Sequence, residues 1–281
     1  MMQMLHEISP KKLNIDYTDR SAGNNDYVIN VDKNKVLVKD DADDLRLPMV
    51  GECGLTNEQL RYLFCIDDDY FYMNISGVLP KENDIYTYAT LSSLRKHKPR
   101  YMSYATVLGY RIAVWYANSS FCGQCGTKTE HSKTERAMVC RKCNNRIYPM
   151  IAPSVIVLIK DGERVLLTRY QASHNFYRNY ALVAGYVESG ETPEEAVARE
   201  VMEEVGLKVK NITYYKSQPW PLSGALLLGY VCDLDGDDTI LRDDNELEEA
   251  LWMNRSELPD RSSDVSLTSN LIENYRIGNI K

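Results

Sequence analysis

The apolar positions of this chain change period twice. In the first 120 residues, short runs such as VDKNKVLVKD and RYLFCIDDDYFYMNISGVLP read as strands. They lead into a helix in which Ala105, Leu108, Ile112 and Trp115 recur at helical spacing, a stripe that predicts core packing. Between residues 121 and 148 the periodicity stops. From residue 153 it resumes as PSVIVLIKDGERVLLTRY, two aliphatic runs around Asp161-Gly162 that predict a β-hairpin. A loop, a helix over 193–205, further strand-like runs such as GALLLGYVCDL and a closing helix near residue 265 follow. Strands interleaved with helices predict a layered α/β domain. The expected organisation is an N-terminal domain over 1–120, a small module over 121–148 and a second domain over 149–281.

Charge and composition narrow the setting. The formal net charge is −7 and the pI about 5.3, which excludes a surface devoted to nucleic-acid backbone and predicts no DNA partner. The opening MMQMLHEISPKK lacks an apolar signal core, and no later apolar run approaches the roughly 18 residues of a membrane span. A cytoplasmic protein without membrane contact is the expectation.

Four of the seven cysteines sit as two close pairs, Cys122/Cys125 and Cys140/Cys143. Each C-x2-C can turn both thiolates toward one Zn²⁺ at about 2.3 Å, and four thiolates close the tetrahedron without an open position for water. One structural zinc per chain is expected, with folding of the module coupled to metal binding. Cys53, Cys65 and Cys232 read as small apolar residues. The basic residues of the module leave nucleic-acid contact open, beside the plainer reading of a solvated face.

The stretch GYVESGETPEEAVAREVMEEVGL, residues 185–207, moves from a glycine loop into a sharply punctuated helix. Thr192 is the N-cap, Pro193 opens the first turn, Glu195 completes a capping box and Gly206 supplies the stop. At 3.6 residues per turn, Glu200, Glu203 and Glu204 gather on one side, and Val197, Val201 and Val205 form the adjoining apolar stripe. Such like charges oppose one another by a few tenths of a kcal/mol per pair, with Arg199 the nearby helix cation. Hard carboxylates converging this way suit Mg²⁺ or Mn²⁺ carrying substrate phosphate oxygens. A solvated acidic face is the plainer alternative for the helix taken alone.

The full string resembles the signature of the Nudix hydrolase superfamily through Gly185, Glu191, Arg199, Glu200, Val201, Glu203, Glu204, Gly206 and Leu207. The resemblance implies an α+β chain whose catalytic domain is a Nudix α/β/α sandwich, preceded by the zinc ribbon and a mixed α/β N-terminal domain. It further implies that Glu200, Glu203 and Glu204 hold several catalytic Mg²⁺ or Mn²⁺ ions, that Glu191 and Arg199 brace loop and helix, and that the Ala184 carbonyl adds a ligand.

Ribbon, signature and the later SQPWP occur in the order that resembles the NADH pyrophosphatase subfamily, over about residues 100–272. That likeness includes WYANSSFCGQCG, Tyr148-Pro149 and ELEEALWMNRSEL, where Glu246 matches a further metal ligand. It implies a homodimer that hydrolyses NAD(H) to NMN(H) and AMP and acts also on NAD-capped RNA. Pro219 and Pro221 restrain Trp220 from both sides. In the family's terms Trp220 becomes a wall of the base pocket, with Tyr148 and Tyr186 as aromatic partners, Ser217, Gln218, Pro219 and Pro221 shaping it, and Glu135 matching a substrate contact. Leu222, Ser223, Ala225, Ala152 and Thr268 depart from the subfamily pattern, all on the substrate side. They bear on which dinucleotide is preferred: NAD(H), ADP-ribose, FAD or diadenosine polyphosphates. A nucleotide-sensing regulator on the same fold is the rival from another class, against which stands the complete set of box glutamates. His6, His97, His131 and His174 show no ligand spacing and no nearby acidic partner in sequence, and carry no assigned chemistry.

Overall fold

The computed structural model describes residues 3–41, 43–171 and 179–281, and its contacts divide into two compact units. One comprises residues 5–150 with 221–224; the other comprises residues 3–4, 151–220 and 225–281. His174 lies outside the described residues.

The first unit opens with β1 (Leu13–Asn14), β2 (Tyr27–Ile29), β3 (Val31–Asp32), β4 (Lys35–Val38) and the short helix α1 (Val50–Cys53). It continues through β5 (Leu60–Ile66), β6 (Asp69–Asn74), β7 (Thr87–Thr90), α2 (Leu91–Leu94) and α3 (Arg100–Asn118). The two strand-like stretches are the hairpins β3–β4 and β5–β6, and they belong to separate sheets, β3-β4-β7 and β1-β5-β6-β2. Ala105 and Ile112 of the helical stripe are buried, while Leu108 and Trp115 are half-buried at its margin; Met102, Val107, Ala113 and Tyr116 widen the buried face. Gly109 lets this face come close to the sheet, because a Cβ there would meet Ile29 at 2.7 Å. The ribbon follows as the small sheet β10-β9-β8, from β8 (Glu130–His131), β9 (Met138–Val139) and β10 (Arg146–Ile147).

The second unit is built on β11 (Ala152–Asp161), β12 (Arg164–Tyr170), β13 (Val183–Tyr186), α4 (Pro193–Val205), β14 (Val209–Trp220), β15 (Ala225–Leu234), β16 (Leu247–Asn254) and α5 (Leu267–Arg276). The expected hairpin is β11–β12, turning at Gly162 with φ +58. Beside it the sheet runs β14-β15-β11-β12-β16, with β13 paired to the other end of β11 and β15 parallel to β11. Alternation along β11 divides the core: Val155, Val157 and Ile159 pack with Val197, Val201 and Val205 of α4, whereas Ile156 and Leu158 pack with Leu267, Leu271 and Tyr275 of α5. One helix on each face makes the α/β/α sandwich that the family resemblance implies, within the α+β class.

Candidate active site and zinc centre

The helix α4 begins and ends where its sequence dictates. The Thr192 hydroxyl accepts from the Glu195 N–H at 3.2 Å, the Glu195 carboxylate accepts from the Thr192 N–H at 2.8 Å, and Gly206 turns left-handed at φ +69. Its valine stripe is fully buried, which fixes the rotation of the helix and so the direction of its glutamates.

Arg199 organises the loop ahead of the helix. Its guanidinium grips Glu191 with two bonds, at 2.8 and 2.9 Å, donates to the Tyr186 carbonyl at 2.9 Å, and reaches Glu200 at 2.7 Å and Glu203 at 3.0 Å. The guanidinium, together with the Glu188 N–H, holds the Glu191 carboxyl down at about 2. Glycine at 185 is a steric demand: a Cβ there would come within 1.9 Å of the Glu200 carboxyl.

Glu204 is the buried member, only 2% exposed, while the Glu203 side chain is 60% exposed. The Glu204 carboxylate accepts from the Ala184 N–H at 3.3 Å and lies 3.3 Å, through each oxygen, from the Tyr170 hydroxyl. Burial, reinforced by the charges of Glu200 and Glu246, pushes its carboxyl up to about 8. Glu200 is raised too, first by burial. Glu246 enters from the loop before β16, where its carbonyl accepts from the Gln171 N–H at 2.8 Å and Asp243 N–H bonds to the Glu204 carbonyl at 2.9 Å. The structure thus brings Glu200, Glu204, Glu246, Ala184 and Arg199 into one neighbourhood, with Glu203 on its exposed side. The donors of this neighbourhood are all oxygens, the type a hard divalent cation takes, while among the described residues only the four ribbon cysteines already converge within ligating distance of one another.

Tyr170 and Gln171 were not singled out in sequence. The available signal was position: in an open α/β sheet, sites gather at the carboxyl ends of strands, and Tyr170 ends β12 with Gln171 directly after it.

The SQPWP stretch is the end of an edge strand. Ser217, Gln218, Pro219 and Trp220 pair with Leu228, Leu227, Leu226 and Ala225, and the edge tolerates Pro219, which has no N–H to give a further strand. Trp220 is half-buried against the α5-side core. Gln218 is fully buried, its amide nitrogen donates to the Val265 carbonyl at 2.9 Å, and its amide oxygen accepts from the Leu267 N–H at 2.6 Å. Both ends of the side chain serve the start of α5. Pro221 and Leu222 count with the first unit, where Leu222 packs against the core that includes Tyr116 and Met138.

Tyr186 presents an exposed ring at the end of β13. In the first unit Tyr148 is also exposed, and its hydroxyl donates to Glu135 at 3.2 Å; Arg146 pairs with the same carboxylate. His97 has the acidic partner that sequence did not reveal, Asp40 at 2.8 Å. His131 lies against Tyr116, and burial drives its imidazole down to about 4.

The four ribbon cysteines converge, with all sulfurs within 4.8 Å of one another; Cys122–Cys143 are 3.6 Å apart and Cys125–Cys140 3.4 Å. Sulfurs at the corners of a zinc tetrahedron with 2.3 Å bonds stand about 3.8 Å apart, so the cage fits the ion. The two knuckles repeat each other. Gly126 N–H bonds to the Cys122 carbonyl and Asn144 N–H to the Cys140 carbonyl, and both fourth-following residues are left-handed, at φ +70 and +58. Of the other cysteines, Cys65 and Cys232 are buried and Cys53 half-buried.

Residues 150–273 match the NUDIX domain and residues 117–148 the NADH pyrophosphatase zinc ribbon domain. The NAD-capped RNA hydrolase NudC of Pectobacterium atrosepticum is 42% identical over 167 residues, covering 59% of this chain and 62% of the relative. NudC of Shigella dysenteriae is 46% identical over 153 residues, covering 54% of this chain and 58% of the relative. The match therefore spans about three fifths of the length of these curated relatives. A solved NUDIX hydrolase from Nitrosomonas europaea is similar over 56% of this chain and 90% of its own, at 21% identity and a TM-score of 0.49. Over residues 117–273 the chain is thus similar to an NADH pyrophosphatase zinc ribbon domain followed directly by a NUDIX domain.

Proposed function

We propose that the protein hydrolyses the diphosphate bond of NAD(H), giving NMN(H) and AMP, and that the same site accepts the NAD cap of RNA 5′ ends. The observation that carries this reading is the buried Glu204 carboxyl, surrounded by Glu200 and Glu246 and raised to about 8, behind a helix whose loop Arg199 locks to Glu191. Both curated relatives described above are named for NAD-capped RNA hydrolysis.

Glu200, Glu203, Glu204, Glu246 and the Ala184 carbonyl would hold Mg²⁺ or Mn²⁺, which supplies charge neutralisation at the diphosphate and a more acidic water. The residues themselves do the remaining work. Arg199 keeps Glu200 and Glu203 aimed across the same face, and Gly185 leaves room for that approach. With a cation offsetting its burial, the Glu204 carboxyl would be ionised and placed to take a proton from the attacking water. Trp220 and the exposed Tyr186 and Tyr148 rings are the candidates for stacking the bases, Ser217, Pro219 and Pro221 shape the pocket, Glu135 contributes a substrate contact, and the active form is a homodimer.

Incubating the zinc-loaded protein with Mg²⁺ or Mn²⁺ and NADH, NAD⁺, ADP-ribose, FAD or diadenosine polyphosphates, then separating the products, tests the reading. NMN(H) with AMP as the preferred products, abolished by Glu204→Gln, is expected. Cleavage of the other dinucleotides with NAD(H) ignored would instead assign a changed specificity to Leu222, Ser223 and Ala225, and no cleavage at all would favour a nucleotide sensor.

A further inference from the structure

We propose that Tyr170 is a positioning residue of the glutamate site, its hydroxyl fixing the Glu204 carboxylate relative to the Ala184 backbone. This rests on the reading of Glu204 as a cation-holding carboxylate.

Tyr170 is the last residue of β12. The pairing of β12 with β16 is regular from Arg164 to Arg169 and shifts between Arg169 and Tyr170. A bulge re-aims the side chain that follows it, and bulges recur beside active sites for that reason. Here the ring packs against the α4-side core, and its hydroxyl comes within 3.3 Å of both Glu204 oxygens, 3.4 Å of the Leu182 carbonyl and 3.5 Å of the Ala184 carbonyl.

The hydroxyl has one proton for four acceptors. Three features direct it to Glu204. The two carboxylate contacts are the shortest; once a bound cation ionises Glu204, a charged acceptor outbids a neutral carbonyl; and the Ala184 N–H, at 3.3 Å, is the other donor to that carboxylate. Ala184 thereby presents its N–H to Glu204 while its carbonyl lies beside the tyrosine oxygen that also faces Glu204. The next residue, Gln171, extends the arrangement: its N–H holds the Glu246 carbonyl at 2.8 Å, and its side-chain amide reaches the carbonyls of Asp244 and Leu247, each at 3.3 Å. Two consecutive residues at one strand end thus tether both Glu204 and the Glu246 loop. Glu204 lies 34 positions and Glu246 75 or more positions along the chain from this strand end.

Removing an outer partner of a metal-holding group typically costs about 10–100-fold in metal affinity or activity. A core-packing tyrosine would instead show its loss in stability. The discriminating experiment is a mutant cycle on zinc-loaded protein with Tyr170→Phe, Glu204→Gln and the double variant. It reads Mn²⁺ affinity by paramagnetic resonance of the free ion, kcat and KM with NADH, and the melting temperature. Tyr170→Phe is expected to weaken Mn²⁺ binding and lower kcat by roughly tenfold each, with KM for NADH and the melting temperature little changed. Added to Glu204→Gln it should cost nothing further, because the hydroxyl acts through the carboxylate. Unchanged Mn²⁺ affinity in Tyr170→Phe, or full additivity in the double variant, would overturn the proposal while leaving Glu204's own role intact. Unchanged Mn²⁺ affinity and turnover in Glu204→Gln would overturn both together.

Discussion

At the scale of single residues, the site depends on an acid kept out of water. The Glu204 carboxyl titrates at about 8 in the fold against 4.5 as an ordinary glutamate, and burial is the leading cause. Below pH 4.5 it is neutral in folded and unfolded chains alike. Between 4.5 and 8 the unfolded chain releases the proton and the folded chain keeps it, so the wild-type protein without bound divalent cation at this site loses stability as pH rises. Glu204→Gln removes that titration. With zinc present and no Mg²⁺ or Mn²⁺ added, the variant should gain stability over wild type progressively from pH 4.5 to about 8, by a few kcal/mol at most, and level off above. Urea titrations at pH 4.5, 6 and 8.5 check this; a stability difference independent of pH would show that Glu204 ionises normally.

At the scale of elements, the junction between β14 and α5 is held by a side chain that joins a strand to a helix start. Gln218 accepts from the first helical N–H of α5, at Leu267, and donates to Val265 two residues earlier. Ser266 caps the same helix by accepting from the Ser269 N–H. Gln218→Leu leaves a buried N–H and a buried carbonyl unpaired, a loss of about 2–4 kcal/mol in denaturant unfolding. The KM for NADH should stay near wild type in the folded fraction. A raised KM with unchanged stability would return Gln218 to the substrate pocket.

At the scale of the whole molecule, the ribbon is a fold without enough core of its own. Over residues 121–148 the buried apolar side chains are few, chiefly Cys122, Ala137, Met138 and Cys140, and its three strands are two residues each. Four thiolates around one ion supply what packing does not. Elemental analysis should find one zinc per chain. Stripping it with a strong chelator, or Cys125→Ser, should lower the melting temperature and increase protease cleavage between residues 121 and 148. Unchanged melting after complete zinc removal would rule out a folding role for the metal.

Local chemistry made much of this legible in sequence. The bounds of α4 followed from Thr192, Glu195 and Gly206, the zinc cage from two C-x2-C pairs, and the β11–β12 hairpin from Asp161-Gly162, because each is decided within a few residues by backbone geometry or ligand spacing. The Nudix signature further named the box glutamates and Arg199. Only tertiary structure decided which glutamate is buried, since Glu200, Glu203 and Glu204 share one side of the helix and differ by what packs over them. It also decided that Gln218 serves the fold, that His97 meets Asp40, and that Tyr170 reaches Glu204 across 34 positions. A partner contributed by another strand leaves no periodic mark near the residue it meets, so the sequence by itself determined the kind of chemistry, and the packing of β12, β13 and α4 determined which atoms face one another.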